Sequence, residues 1–180
     1  GSGHGREFLW SWIQAARTRG AVVVAPTSLG STWSLMEPGI DRAHLEAVVQ
    51  TLCEQLPIDP RRILLTGMSD GGSFTLLAGL QEDSPFTHLA PMSGVLAPLD
   101  DAQRAAASGR KIYWVHGALD WMFPAEVAQM ATDDLANLGA DVSYLEIEDL
   151  SHTYPSEVNG TVLEWFDPSL ALPPDVQESA

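Results

Sequence analysis

The chain has 180 residues, 45% of them hydrophobic, which suits one domain with a sizeable core. Its formal charge of −15, from 24 acidic and 9 basic residues, argues against nucleic acid as a partner, because phosphates need Lys and Arg. No apolar run approaches the ~20 residues of a membrane span, and a single cysteine, Cys53, excludes an internal disulfide framework.

The charge is unevenly spread: residues 112–180 hold 13 Asp and Glu and no Lys or Arg, which reads as a solvated acidic surface. Residues 1–20 lack a basic start followed by an apolar core, so no signal peptide is seen in this stretch; the compartment is left open, with the cytoplasm slightly favoured. Cys53 falls in a predicted helix and is expected to be a buried small hydrophobe.

In chain order, a glycine-rich start, Gly1 to Gly5, leads into a predicted helix from Glu7 to Arg19, where Phe8, Leu9, Trp12, Ile13 and Ala16 recur at helical spacing. Gly20 stops it. Ala21-Val22-Val23-Val24-Ala25-Pro26 is a continuous apolar run, the pattern of a strand buried on both faces. A loop over 27–40 carries Trp33, Met36 and Pro38. Asp41 is the expected N-cap of a helix to Leu56, with Leu45, Val48, Val49 and Leu52 inward.

A short strand, Ile63 to Thr66, then meets Gly67-Met68-Ser69-Asp70-Gly71, and a helix follows to about Leu80. Gly-x-Ser-x-Gly between a strand and a helix is the pattern of a nucleophile elbow, a sharp turn that lifts its serine above the sheet. Gly67 and Gly71 are expected to let strand and helix approach. His88 to Gly94 reads as a short strand and loop, 100–108 as a weak helix, and Lys111 to Gly117 as a strand. Pro124 opens a helix to Leu138, with Val127, Met130, Leu135 and Leu138 as its apolar face and Gly139 as its stop. Asp141 to Ile147 is the final strand, Pro155 opens a last helix to about Phe166, and the Pro-rich tail over 168–180 is expected to fray.

Five alternations of strand and helix predict one α/β domain over 1–180, a mostly parallel sheet covered by helices on both faces. In such sheets the reactive groups gather at the carboxyl ends of the strands. Three strand-end loops carry Ser69, Asp120 and His152, in the chain order found with an elbow serine. In that constellation His152 accepts the serine proton and later protonates the leaving group. Asp120 orients the imidazole and stabilises its charged form. The backbone N–H of Asp70, at a helix N-terminus, is one donor to the developing oxyanion.

Each residue has a second reading. Asp120 could instead cap the helix near Pro124, with Asp149 the nearest competing acid, and His152 could cap or simply face solvent. His116 at a strand end is expected to be structural. His4, His44 and His88 are expected at the surface, and no histidine pair has metal-ligand spacing with a third partner. Trp33, Met68, Trp121 and Met122 lie on or beside strand-end loops, where they form either an apolar acyl or alcohol pocket or ordinary core.

Ile58-Asp59-Pro60-Arg61-Arg62-Ile63 leading into Gly67-Met68-Ser69-Asp70-Gly71-Gly72, His116-Gly117 with Asp120 and Pro124, and Ser151-His152 together resemble the α/β-hydrolase superfamily. The likeness is greatest to its phospholipase/carboxylesterase branch, with the polyhydroxybutyrate-depolymerase-like esterases, and it covers Gly1 to about Phe166. It implies a serine carboxylesterase of the α/β-hydrolase fold, acting on a small-molecule ester without metal or organic cofactor. The same triad serves thioesterases and peptidases, and an idle triad on this fold would leave a non-catalytic binding module. The resemblance also implies a His-Gly-x-Gly oxyanion loop near the start. Gly1-Ser2-Gly3-His4 is similar to it, which makes the N–H of Ser2 the second oxyanion donor, with Gly3 the alternative and a substrate contact. The family carries strands ahead of that loop and this chain shows none, so the expected domain is an α/β-hydrolase lacking its N-terminal strands. The oligomeric state is left open.

Overall fold

A computed structural model describes residues 5–173. The helix α1 spans Gly5–Arg19 and α2 spans Gly39–Gln55. They are followed by β1 (Leu64–Met68), α3 (Asp70–Gly79), β2 (His88–Met92), α4 (Asp101–Ala107), β3 (Lys111–Gly117), α5 (Ala125–Asn137), β4 (Asp141–Ile147) and α6 (Asn159–Phe166). The four strands lie in the order β1-β2-β3-β4, and every neighbouring pair is parallel. Each crossover between strands carries a helix, as parallel pairing requires.

The side chains of the two central strands sort by parity onto two cores. Leu89, Ile112 and Trp114 pack with Leu45 of α2, Phe74 and Leu76 of α3 and Leu135 of α5. Ala90, Met92 and Val115 pack on the opposite face with Trp12 of α1 and Val162 and Leu163 of α6. That is the helix-covered parallel sheet expected from the alternation. The loop ahead of α4 needs no tertiary partner to stop fraying, because Asp100 and Gln103 form a reciprocal capping box.

Five local expectations are corrected. The apolar run 21–26 forms no strand and, among the described residues, pairs with none. Val22 and Val24 are 59% and 45% exposed, and an apolar cavity of about 480 Å³ separates the segment from β1. A strand exists only where a neighbour closes its ladder, and among the described residues neither the segment nor the outer edge of β1 has one. Asp41 does not cap α2. It sits in the first turn, buried, and its carboxylate accepts the N–H groups of Leu29 (2.9 Å) and Ser34 (2.8 Å), pinning the loop ahead of the helix. On α5 the face against the sheet is Ala125, Ala128, Ala131, Thr132 and Leu135, while Val127 and Met130 are exposed. Small side chains let that helix approach the sheet closely, so the packed stripe is set by size as well as polarity. Cys53 is exposed. His88 is buried, with its ring edge-on to Trp165 (5.3 Å) and Phe166 (4.9 Å). Burial lowers the His88 pKa.

The start of the expected tail is ordered. Pro168–Leu170 form a 3-10 turn capped by Asp167, and Leu170 packs on the α1/α6 core. Among the described residues no helix is long and apolar enough to cross a membrane.

Asp41→Ala leaves two backbone N–H groups without their charged acceptor. It is expected to cost about 3 kcal/mol, read as a lower urea midpoint at unchanged slope.

Candidate active site

Ser69 stands between β1 and α3 with φ 57° and ψ −119°, in the left-handed half of the map that side chains avoid. Local packing enforces it. Ser69 donates its N–H to the Met92 carbonyl at 2.9 Å, and its own carbonyl accepts the Ser73 N–H at 2.9 Å. The glycines that permit the turn are Gly67 and Gly72. A Cβ on Gly67 would lie 2.5 Å from the Gly71 carbonyl oxygen, and one on Gly72 would lie 2.6 Å from that of Met92. Gly71, expected from the pattern to need its small size, would meet only the Trp33 ring at 3.6 Å, an ordinary contact. Its backbone, rather than its missing side chain, is what crowds Gly67.

Asp120 and His152 come together because β3 and β4 are adjacent and parallel, with Gly117 in register with Ile147. The two strand-end loops are then tied to each other: Ala118 donates to the Ile147 carbonyl (2.9 Å) and Leu119 to that of Leu150 (2.9 Å). The loop that carries His152 is anchored behind by Tyr154, whose hydroxyl donates to Asn159 Oδ1 at 2.6 Å. Asn159 Nδ2 in turn donates to the Ser11 carbonyl at 2.8 Å, tying this loop to α1.

The three side chains form one hydrogen-bonded line. His152 Nδ1 lies 2.8 Å from Asp120 Oδ2, and His152 Nε2 lies 3.0 Å from Ser69 Oγ. With a carboxylate on Nδ1, the imidazole carries its proton there, and Nε2 faces the serine as the acceptor. Asp120 is fully buried, and its Oδ1 accepts the N–H groups of Met122 (3.0 Å) and Phe123 (2.9 Å). Thus Asp120 does organise the turn before α5, and it holds His152 with its other oxygen. Asp149 is exposed. The ring of Phe123 meets that of His152 edge-on at 5.3 Å, and Trp121 lies 6.3 Å from it.

Burial by itself would raise the Asp120 carboxyl. The N–H groups of Phe123 and Met122, the His152 ring and the Ser93 hydroxyl outweigh it and hold it below the ordinary aspartate value of 3.8. A folded pKa below the unfolded one means that the ionised carboxylate favours folding. This contribution is complete above the unfolded value and is lost as pH falls through the folded one. Acid titration followed by circular dichroism is therefore expected to show stability falling as pH drops below about 3.8, and Asp120→Asn is expected to flatten that dependence.

Of the other expected site residues, Asp70 opens α3 directly after Ser69, and its carboxylate accepts the Thr32 hydroxyl at 2.6 Å. Trp33 stacks on Phe74 (5.1 Å) and Met68 packs on the α1/α6 core, both lining the cavity beside β1. Trp121, 75% exposed, and Met122 lie on the Asp120 loop beside His152. Ser2, Gly3 and His4 lie outside the described residues. Among the described residues no three His, Cys, Asp or Glu side chains are placed to share a metal ion.

Three participants escaped the sequence reading. Ser93, buried with φ 43°, stands at the carboxyl end of β2 beside Asp120. Phe123 braces His152, and Thr32 holds Asp70. The strand-end rule that singled out Ser69 also covers Met92-Ser93-Gly94, but nothing in sequence signals Phe123 or Thr32.

A phospholipase/carboxylesterase family model matches residues 36–167. Among solved structures, esterase PE8 superposes with a TM-score of 0.74 at 24% identity, covering 93% of this chain and 88% of that one. A truncated carbohydrate esterase from gut microbiota follows at 0.69 and 17%, covering 89% and 78%. Acyl-protein thioesterase 2 of Zea mays superposes at 0.52 and 18%, covering 73% and 67%. At these identities the likeness establishes the fold. No curated protein matches by sequence.

Proposed function

Because the chain belongs to the phospholipase/carboxylesterase family of the α/β hydrolases, and so is a serine hydrolase, we propose that it cleaves carboxylic esters through an acyl-enzyme formed on Ser69. The observation that carries this reading is the unbroken line Ser69–His152–Asp120, with contacts of 3.0 and 2.8 Å. Ser69 Oγ attacks the ester carbonyl while His152 Nε2 takes its proton. The tetrahedral oxyanion receives the Asp70 N–H at the start of α3. As the intermediate collapses, the C–O bond to the alcohol breaks and His152 returns the proton to the leaving oxygen. Water, deprotonated by the same His152, then attacks the acyl carbonyl, and Ser69 leaves with its proton restored. Asp120 stays a carboxylate throughout and stabilises the imidazolium.

The substrate of this reading is a neutral, modestly hydrophobic small-molecule ester. Leu119, Trp121 and Met122 present exposed apolar surface on the Asp120 loop, and the −15 charge disfavours polyanions. A thioester is the second reading, favoured by the likeness to a plant acyl-protein thioesterase.

A fluorophosphonate probe tests the chemistry. One equivalent of label is expected on Ser69, located by mass spectrometry, with a burst of alcohol from p-nitrophenyl esters. Folded protein that stays unlabelled would make this an α/β-hydrolase-fold binding module instead. Parallel ester and thioester chain-length series then choose between the two substrates.

A further inference from the structure

We propose that His116 is a positioning residue for this site: through the Phe123 carbonyl it locks the loop that carries Asp120 and braces His152. The proposal rests on the catalytic reading above and extends it to a second histidine that the mechanism does not use.

His116 and Trp114 project from the same face of β3, two residues apart. Both are buried, and the His116 side chain is wholly so. The Trp114 indole Nε1, which can only donate, lies 3.2 Å from His116 Nδ1. Nδ1 is therefore the bare, accepting nitrogen, and the ring carries its proton on Nε2. That Nε2–H donates to the Phe123 carbonyl at 2.8 Å. The two contacts use both ring nitrogens and fix one tautomer of a buried ring.

Phe123 is the hinge of the arrangement. Its carbonyl is held by His116, its N–H donates to Asp120 Oδ1 at 2.9 Å, and its ring meets His152 at 5.3 Å and 82°. One residue thus sets both the direction of the Asp120 carboxylate and the tilt of the His152 ring. The beginning of the loop 118–124 is tied to the sheet by Ala118 and Asp120, which donate to the Ile147 and Gly117 carbonyls, and to the His152 loop by Leu119. The Phe123 carbonyl is the tie at its far end, just before Pro124, which has no N–H to offer. His116 Nε2 also lies 3.5 Å from Asp120 Oδ2, the oxygen that holds His152, so the His116 ring stands directly beside the carboxylate.

Without the Nε2–H donor, the Phe123 carbonyl loses its partner and the loop end is free to turn. A displacement of about 1 Å at the reacting groups costs on the order of 100-fold in rate. The two amides separate this role from simple packing. Gln places its amide near the Nε2 position and can still donate to Phe123. Asn places its amide near Nδ1, so it can still accept from Trp114 but cannot reach Phe123.

His116→Asn is expected to lower kcat for a short p-nitrophenyl ester about 10- to 100-fold with KM nearly unchanged, and to slow fluorophosphonate labelling by the same factor. His116→Gln is expected to recover to within about 3-fold of the parent, although both variants lose similar thermal stability. Equal activity of the two amides, or losses that simply track Tm, would overturn the proposal. Should either variant fail to fold, the unaltered protein decides by ¹⁵N NMR of its histidine rings. The His116 ring is expected as the Nε2–H tautomer, with a scalar coupling across its hydrogen bond to the Phe123 carbonyl carbon; an Nδ1–H tautomer overturns it. Unaltered protein that takes no fluorophosphonate label refutes the catalytic reading itself, and is told apart because the variants are compared only against labelled parent.

Discussion

Ser69→Ala is expected to lower kcat/KM for a p-nitrophenyl ester by about 10⁵- to 10⁶-fold, the loss found when an activated serine is removed from a triad. The step it removes is covalent, so no neighbouring group can substitute by position alone. Ser73 is the nearest other hydroxyl on α3, but it is committed: it donates to the Ser69 carbonyl (3.3 Å) and accepts the Val95 N–H (2.9 Å). Stability should barely change, because the strained φ of 57° is imposed by the turn and alanine suffers it as serine does. Ser69→Gly, equally inactive, is expected to be about 1 kcal/mol more stable than Ser69→Ala, since glycine adopts that backbone without strain. Comparing initial rates, probe labelling and Tm for the three proteins separates the loss of the nucleophile from any loss of fold. Substantial residual activity in Ser69→Ala would contradict the acyl-enzyme.

Asp120→Asn is expected to lower kcat by about 10⁴-fold with a small effect on KM, as tautomer reversal does in other triads. The direction follows from the contacts. Oδ1 already accepts two N–H groups, from Met122 and Phe123, so the asparagine oxygen must occupy that place. Its NH2 group is then left facing His152 Nδ1, where the carboxylate oxygen stood 2.8 Å away. A donor there forces the imidazole proton onto Nε2, and the histidine donates toward Ser69 where it must accept. The loop should keep its fold, because both backbone contacts survive. A rate recovered at high pH, where hydroxide takes over the proton transfer, is the expected companion result. If Asp120→Asn kept full activity, His152 would owe its orientation to something other than Asp120, and Phe123 would be the first group to test.

Much of the architecture was legible because its signals are local. The elbow needs Gly67 and a serine between strand and helix, and Pro124 and Gly139 bound α5. The order of Ser69, Asp120 and His152 at strand ends was also legible, since a parallel sheet puts the carboxyl ends of its strands on one side. Patterns that depend on a distant partner misled. Ala21 to Pro26 has the composition of a central strand, but composition cannot supply the neighbour that closes a ladder. Val127 and Met130 have the polarity of a core face, but alanines allow the closer approach and took it. Cys53 and His88 exchanged their expected places for the same reason: burial belongs to the neighbours a residue meets, here solvent for one and Trp165 and Phe166 for the other.

By itself, then, the sequence determined the α/β class, the family and the three residues whose chemistry suits an activated serine, because these rest on spacing and on the chemical identity of side chains. Tertiary structure alone decided what surrounds them. Phe123 and Ser93 beside the Asp120–His152 pair, Thr32 on Asp70, and His116 turned inward onto a carbonyl are placed by chain segments far apart or by a loop's turn. Such contacts form only when separate strand ends are brought to one edge of the sheet, and a linear pattern carries no record of which groups then meet.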